Sequence, residues 1–292
     1  MNEKVIKSYK GFDKDMKCRD FQYEVGKEYN MDGEIKCCKQ GFHACKSPLE
    51  VWDYYDMLNS RFAEVEQSGK IDEEEKSTKV CSSHIKIKAE LKLADIINIG
   101  VEWLKDITSP SKVKTDGVLN DNGDRKKQIG SSGDYAQIGS SGDSAQIGSS
   151  GDSAQIGSSG YSAQIGSSGD SAQIGSSGYS AKIGSSGDSA KIGSSGYSAK
   201  IGSSGYSAQI GSSGDYAQID STGEDSVIMC AGGNSKAKAK IGSWITLSEW
   251  KWSDEKERYV PVCVKTEYVD GENIKADTWY QLKNGKFVEV TE

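Results

Sequence analysis

Gln128-Ile129-Gly130-Ser131-Ser132-Gly133-Asp134-Tyr135-Ala136 is the first of ten nine-residue units that follow one another without a break as far as Ala217. A short uninterrupted repeat, rich in Gly and Ser with one Ile and one Ala at fixed offsets, predicts a stacked β-solenoid whose units bury their apolar residues against their neighbours. Ala136 and Ile138 flank a polar Gln137, the period of two expected of a strand, so Ala and Ile point inward and Gln or Lys outward. The Gly-Ser-Ser-Gly stretch that follows has no apolar residue. Its glycines are expected to take positive φ at a tight corner.

One unit is too short to enclose a core, so the expected coil takes two units, eighteen residues, with two strands facing each other. The seventh position supports this. Every second unit gives Asp134, Asp152, Asp170, Asp188 and Tyr206 in one series, and Asp143, Tyr161, Tyr179, Tyr197 and Asp215 in the other. A three-unit coil would mix Asp and Tyr in every series. Five coils at the inter-strand spacing make a rod on the order of 24 Å long, with exposed strand edges at both ends that the flanking segments should cap.

The Tyr161, Tyr179 and Tyr197 column offers aromatic faces for stacking bases or a nucleotide, or for meeting a partner's column; its bland alternative is ladder stacking within the rod. The Asp134, Asp152, Asp170 and Asp188 column sets like charges one strand apart, so it must accept corner N–H bonds, meet Lys, or hold cations such as calcium. Lys182, Lys191 and Lys200, joined by Lys236, Lys238 and Lys240, suggest an anion-binding strip, against the alternative of solvated faces. Six Asp against three Lys across the ten units are too sparse for a mimic of DNA. The absence of Thr rows argues against an ice-binding face.

The flanks divide the chain further. Residues 1–112 have the composition of an α+β globular domain, with strands expected at Val5–Phe12, Phe21–Tyr29, Ile35–Cys38, Arg61–Gln67 and Ser83–Leu93. Helices are expected after Ser47-Pro48 and over Leu93–Ile107. Residues 113–127 read as a linker or lead-in coil, 128–243 as the solenoid and 244–292 as a small β cap. Within the cap, Trp279–Val290 forms a hairpin around Asn284-Gly285. The fold class is therefore mainly β: a two-sided β-solenoid between an α+β domain and a β cap.

The 292 residues carry a net charge of −7, spread along the chain, which gives no reason to expect general nucleic-acid binding. No stretch reads as a membrane span or signal-peptide core, so a cytoplasmic protein is expected. Seven cysteines without framework spacing fit reduced thiols. Cys37, Cys38, His43 and Cys45 form a Cys-Cys-x4-His-x-Cys cluster of thiol and imidazole groups for zinc, with small packed thiols as the alternative. No cofactor is otherwise expected.

Two resemblances add to this reading. Tyr9-Lys10-Gly11-Phe12, followed by Gly41-Phe42-His43 and a helix, loosely resembles the NAD-clamping segments of ADP-ribosyltransferase-like domains. That would put Lys10 at the anchor position and make His43, Glu64 and Glu66 the catalytic candidates. Taken as a whole, Tyr9–Phe12, Gly41-Phe42-His43-Ala44-Cys45, the repeat and the ending Val269-Asp270-Gly271-Glu272-Asn273-Ile274-Lys275-Ala276-Asp277-Thr278-Trp279-Tyr280 resemble an uncharacterised family of bacteriophage and prophage proteins. The resemblance implies a phage setting inside a bacterial host and no particular chemistry. The expectation is a non-enzymatic accessory binding protein, a homo-oligomer, that blocks or sequesters a nucleotide second messenger or a host defence protein. An ADP-ribosyltransferase-like enzyme on a solenoid stalk, or a virion structural or adhesin component, are the alternatives.

Overall fold

The computed structural model describes residues 5–74, 77–107, 118–121 and 128–291. The break expected at Ser109-Pro110-Ser111 and most of the 113–127 linker lie outside these residues. Two compact units divide the chain, Met1–Trp103 and Leu104–Glu292.

In the first unit, β1 (Ile6–Phe12), β2 (Glu28–Asn30), β3 (Phe42–Cys45), β4 (Arg61–Glu73) and β5 (Lys79–Leu91) form one antiparallel sheet in the order β2-β5-β3-β1-β4. Since β4 also pairs with β5, the sheet closes on itself as a small barrel with β2 as an added edge. Phe12, Phe42, Val65, Ile85 and Ile87 fill its core, and β1 is buried on both faces from Ser8 to Phe12. The stretch expected as a strand at Ile35–Cys38 is instead a turn held by the Lys36–Gln40 bridge. Its lone Ile35 among polar residues offers no face to bury. The segment after Pro48 is only a 3-10 turn, Leu49–Asp53, whereas helix α1 runs from Leu93 to Ile107.

In the second unit each repeat strand pairs in parallel with the strand eighteen residues on, Gln137 with Gln155 and Gln146 with Gln164. Successive units therefore alternate between two nine-stranded sheets. One, here the front sheet, starts at Val118–Asp121 and includes Gln137–Ser140, Gln155–Ser158 and their successors. The other, the back sheet, starts at Gln128–Ser131. Ile and Ala form the expected inner rows, from Ile147 to Ile219 almost wholly buried. A third inner row was not anticipated: the Ser that follows the strand glycine, Ser149, Ser167 and Ser185 among them, is also buried. Strand alternation requires this, because residues two apart share a face.

The corner glycines depart from expectation, since none within the ten units has positive φ. Their need for Gly is steric. A Cβ on Gly169 would lie 2.1 Å from the carbonyl oxygen of Gly151 on the preceding coil, and one on Gly178 would lie 1.9 Å from that of Gly160. Side-chain-free backbone lets the coils stack in contact. Positive φ falls instead on the eighth residue of alternate units, Ser153, Ser171 and Ser189.

Val118–Asp121 is a rung within the expected lead-in coil, and at the other end the coil runs past its expected limit. Trp244–Leu247 is a further parallel rung on Val227–Cys230, not the start of a separate cap. The register holds at eighteen where Gln218 meets Lys236 and is one residue shorter where Val227 meets Trp244. Beyond Leu247 the strand continues to Ser253 and returns antiparallel as Arg258–Tyr268. The back sheet ends on the hairpin Tyr280–Lys283 and Lys286–Glu289, whose Asn284 and Gly285 have φ of 50° and 69°. Two antiparallel closures thus finish a parallel stack.

Candidate functional site

The two edges of the flattened coil carry different chemistry because alternate units place their seventh residue on opposite edges. On the edge leading from back to front sheet, Asp134 Oδ1 accepts the N–H of Asp152 at 3.1 Å, and Asp152 and Asp170 do the same for the residue above at 2.9 Å. Asp188 completes the series by accepting the N–H of Tyr206 at 2.8 Å. Each carboxylate of the column is held by a backbone dipole of the next coil, the corner-bond arrangement that relieves like charges. Among the described residues no three His, Cys, Asp or Glu side chains are gathered to hold a metal ion.

On the opposite edge Tyr161 and Tyr179 stack with ring centroids 5.1 Å apart and planes within 3°, and Tyr179 and Tyr197 at 5.0 Å and 17°. Tyr216, an eighth-position residue that sequence reading passed over, extends the column, its ring 5.1 Å from that of Tyr197 and tilted by 43°. These rings are 40–56% exposed. Neighbouring rings take up one another's faces, so what the column offers outward is ring edges and hydroxyls. Base stacking against the flat faces of Tyr161, Tyr179 and Tyr197, as the sequence suggested, is open only at the column's ends.

The expected lysine strip does not form. Lys182 and Lys200 are neighbours on the back sheet, but Lys191, nine residues from each, stands on the front sheet. Lys238 pairs with the buried Asp220 at 3.1 Å, and Lys240 with Asp277 at 2.7 Å. Burial raises the Asp220 carboxyl above its ordinary value against the pull of Lys238. Lys236 lies 4.7 Å from the Trp279 ring centroid. With Tyr216, Gln281 and Lys283 it lines an open depression of about 620 Å³ on the outer side of the back sheet.

In the first unit, the glycines of the two quoted motifs are explained by packing. A Cβ on Gly11 would sit 2.4 Å from the Tyr55 ring; Gly41 has φ of 134° and would bring a Cβ within 2.0 Å of Cys81 Sγ. Lys10, the anchor implied by the ADP-ribosyltransferase resemblance, is buried. Its Nζ donates to the His43 carbonyl at 2.9 Å and lies 5.6 Å and 5.3 Å from the Phe12 and Tyr23 rings. Residues 6–99 match the model of a domain of unknown function, DUF7666. No curated protein and no solved structure matches the chain.

The candidate catalytic groups of the DUF7666 region are separately engaged. Glu64 pairs with Lys7 and Glu66 with Lys88, each at 2.9 Å. His43 Nε2 accepts the Cys38 N–H at 3.0 Å, which requires an unprotonated nitrogen. Burial, then Lys10 and Lys79, hold this imidazole below its ordinary value. The zinc candidates are dispersed too. Cys37 Sγ donates to the Asp72 carbonyl at 3.3 Å, Cys38 is exposed, and Cys45 is buried with its thiol pushed up by desolvation. The Cys-Cys-x4-His-x-Cys spacing straddles a turn and a strand, so its members face different neighbours.

Proposed function

We propose that this is a non-enzymatic binding protein in which the tyrosine column of the solenoid is the recognition ridge for a protein partner. In the bacteriophage setting that its terminal motifs suggest, the partner is a host defence component, blocked in the bacterial cytoplasm. One observation supports this above the rest: four tyrosines stacked into a rigid, half-exposed rib. Tyr supplies large contact area at little conformational cost, and pre-stacked rings have already lost their rotamer freedom before binding. The separate engagement of His43, Glu64 and Glu66 favours binding over catalysis.

A nucleotide ligand is the second reading. It is favoured by the depression in which Tyr216, at the column's end, meets Lys236 and Lys283, an aromatic platform beside cations for phosphate.

The test is the triple variant Tyr161→Ser, Tyr179→Ser, Tyr197→Ser, with circular dichroism to check the solenoid. Host proteins captured by the wild-type chain from a bacterial lysate, identified by mass spectrometry, should be lost from the variant at unchanged fold. Undiminished capture of the same protein would sink the reading. A small molecule released by heating the purified wild-type protein would shift the assignment to the nucleotide.

A further inference from the structure

Each front-sheet unit contains two glycines, and only the corner one is explained by the chain itself; on the back sheet the strand glycines Gly148, Gly166, Gly184 and Gly202 are buried. The corner glycine is forced by the coil beneath it. The strand glycine is not: on the front sheet a Cβ at Gly193 or Gly211 would meet nothing within 4 Å, and at Gly157 or Gly175 the nearest atom lies at 4.0 Å. None of these four has positive φ. A glycine inside a strand weakens it and marks close approach by something else. Beside the outward row of Gln155, Gln173, Lys191 and Gln209, these glycines form a trough that is part of an open groove of about 1020 Å³ along the front face.

The same face changes character along its length. Past Gln209 the ridge and trough positions are taken by Val227 and Met229, then by Trp244 and Thr246, and then by Tyr268 and Thr266 on the returning strand, with Val264 beyond. The five large apolar side chains among these are 42–64% exposed, far more contiguous apolar surface than scattered exposure produces. One half of the face is a trough without side chains. The other is a set of knobs.

We propose that the front face is an interface between two copies of this chain, related by a two-fold axis that lies in the interface and runs along the strands, each copy's knobs seated in the other's glycine trough. Three features favour a second copy as the occupant. A half-turn about the middle of the face superimposes trough on knobs twice over, as a self-complementary contact requires. The rung spacing of one rod is matched along its whole length by an identical rod, whereas an extended peptide repeats every two residues at roughly 6.6 Å against the roughly 4.8 Å rungs. Finally, six four-residue strands and the two long closing strands present roughly 700 Å², close to the ~800 Å² per partner of a stable complex. Lys191 is the only charge among the ridge and trough positions of this sheet from Gln137 to Tyr268, in keeping with the depletion of charge at interface cores. The inference goes beyond the proposed reading and does not rest on the tyrosine column, which lies on the coil's edge.

The experiment is light scattering with size exclusion on the full chain at concentrations up to about 200 μM, together with two variants from opposite halves of the face. Gly175→Val with Gly193→Val fills the trough where the chain's own atoms leave room. Val227→Lys places on a knob the residue that Lys191 and Lys236 already supply at equivalent positions. The wild type should be a dimer. Each variant should run as a monomer that keeps the wild-type circular-dichroism spectrum, and the tyrosine triple variant should remain dimeric. A monomeric wild type, or a dimer indifferent to both front-face variants, would overturn the proposal. A dimer that is lost only in the tyrosine variant would overturn it in favour of the column, while loss of partner capture with the dimer intact leaves this interface standing.

Discussion

The Asp edge and the Tyr edge of the coil are built from the same Gly-Ser-Ser-Gly, yet they route their hydrogen bonds in opposite directions. On the Asp edge the eighth-residue N–H of Ser153 donates forward to the Asp170 carbonyl, at 2.8 Å. On the Tyr edge that of Ser180 donates backward to the Tyr161 carbonyl, also at 2.8 Å. The switch coincides with the backbone: Ser153, Ser171 and Ser189 are left-handed, with φ of 54–56°, and Ser162, Ser180 and Ser198 on the Tyr edge are not. An Asp at position seven makes this affordable, because its carboxylate accepts the next coil's seventh N–H while the following residue flips. The carboxylate bond and the flipped residue occur together from Asp134 to Asp188 and again at Asp215, which accepts the Gly233 N–H ahead of a left-handed Tyr216, whereas Asp143 is followed by Ser144 without the flip. Tyr206 is also followed by a left-handed Ser207, and its own N–H reaches Asp188.

Several substitutions would break or sharpen this comparison. The largest effect is expected from what the edges share. Gly169→Ala drives a Cβ to 2.1 Å from backbone oxygen, which cannot yield without separating coils. It should cost about 3 kcal/mol, whereas Gly175→Ala on the front strand should be neutral or slightly stabilising; thermal unfolding followed at a β-sheet wavelength would show both. Next comes the difference between the edges. Ser171→Gly relieves a left-handed residue and should stabilise by about 1 kcal/mol, while Ser180→Gly should destabilise by about 0.5–1 kcal/mol. Equal effects at the two sites would remove the distinction. Asp170→Ala deprives the Asp188 N–H of its acceptor and should cost about 1 kcal/mol, an effect that is small because the group is exposed.

The smallest effect lies outside the solenoid, in the pH response of the first unit. The native imidazole of His43 binds its proton less readily than an unfolded one. The unfolded state therefore holds more protons below the ordinary value of ~6.5, and stability falls as pH drops through that point. Hydrogen-exchange protection of the β3 amides should decline between about pH 7 and pH 5, and His43→Gln should flatten the decline.

Legibility differed sharply between the two units. Eighteen residues per coil, the Ile and Ala rows, the segregated Asp and Tyr columns and the Asn284-Gly285 hairpin could all be read from spacing, since each contact repeats at a fixed sequence separation. The barrel could not. β1 meets β4 across more than fifty residues, Tyr9 opposite Glu64, and no local period announces such a pairing. The lysine strip failed for a simpler reason: Lys182 and Lys191 differ by one unit, and one unit is a change of sheet.

By itself, the sequence determined the coil, because a nonamer with two inward apolar positions has few ways to hide them and repeats its choice ten times. Only the tertiary structure decided which glycines the stacking demands and which it leaves open. It also decided that the tyrosine faces are spent on one another, and that Trp244 continues the rod. Those outcomes depend on what lies one coil away in space, where atoms eighteen residues apart come into contact and the chain's own order says nothing about the room between them.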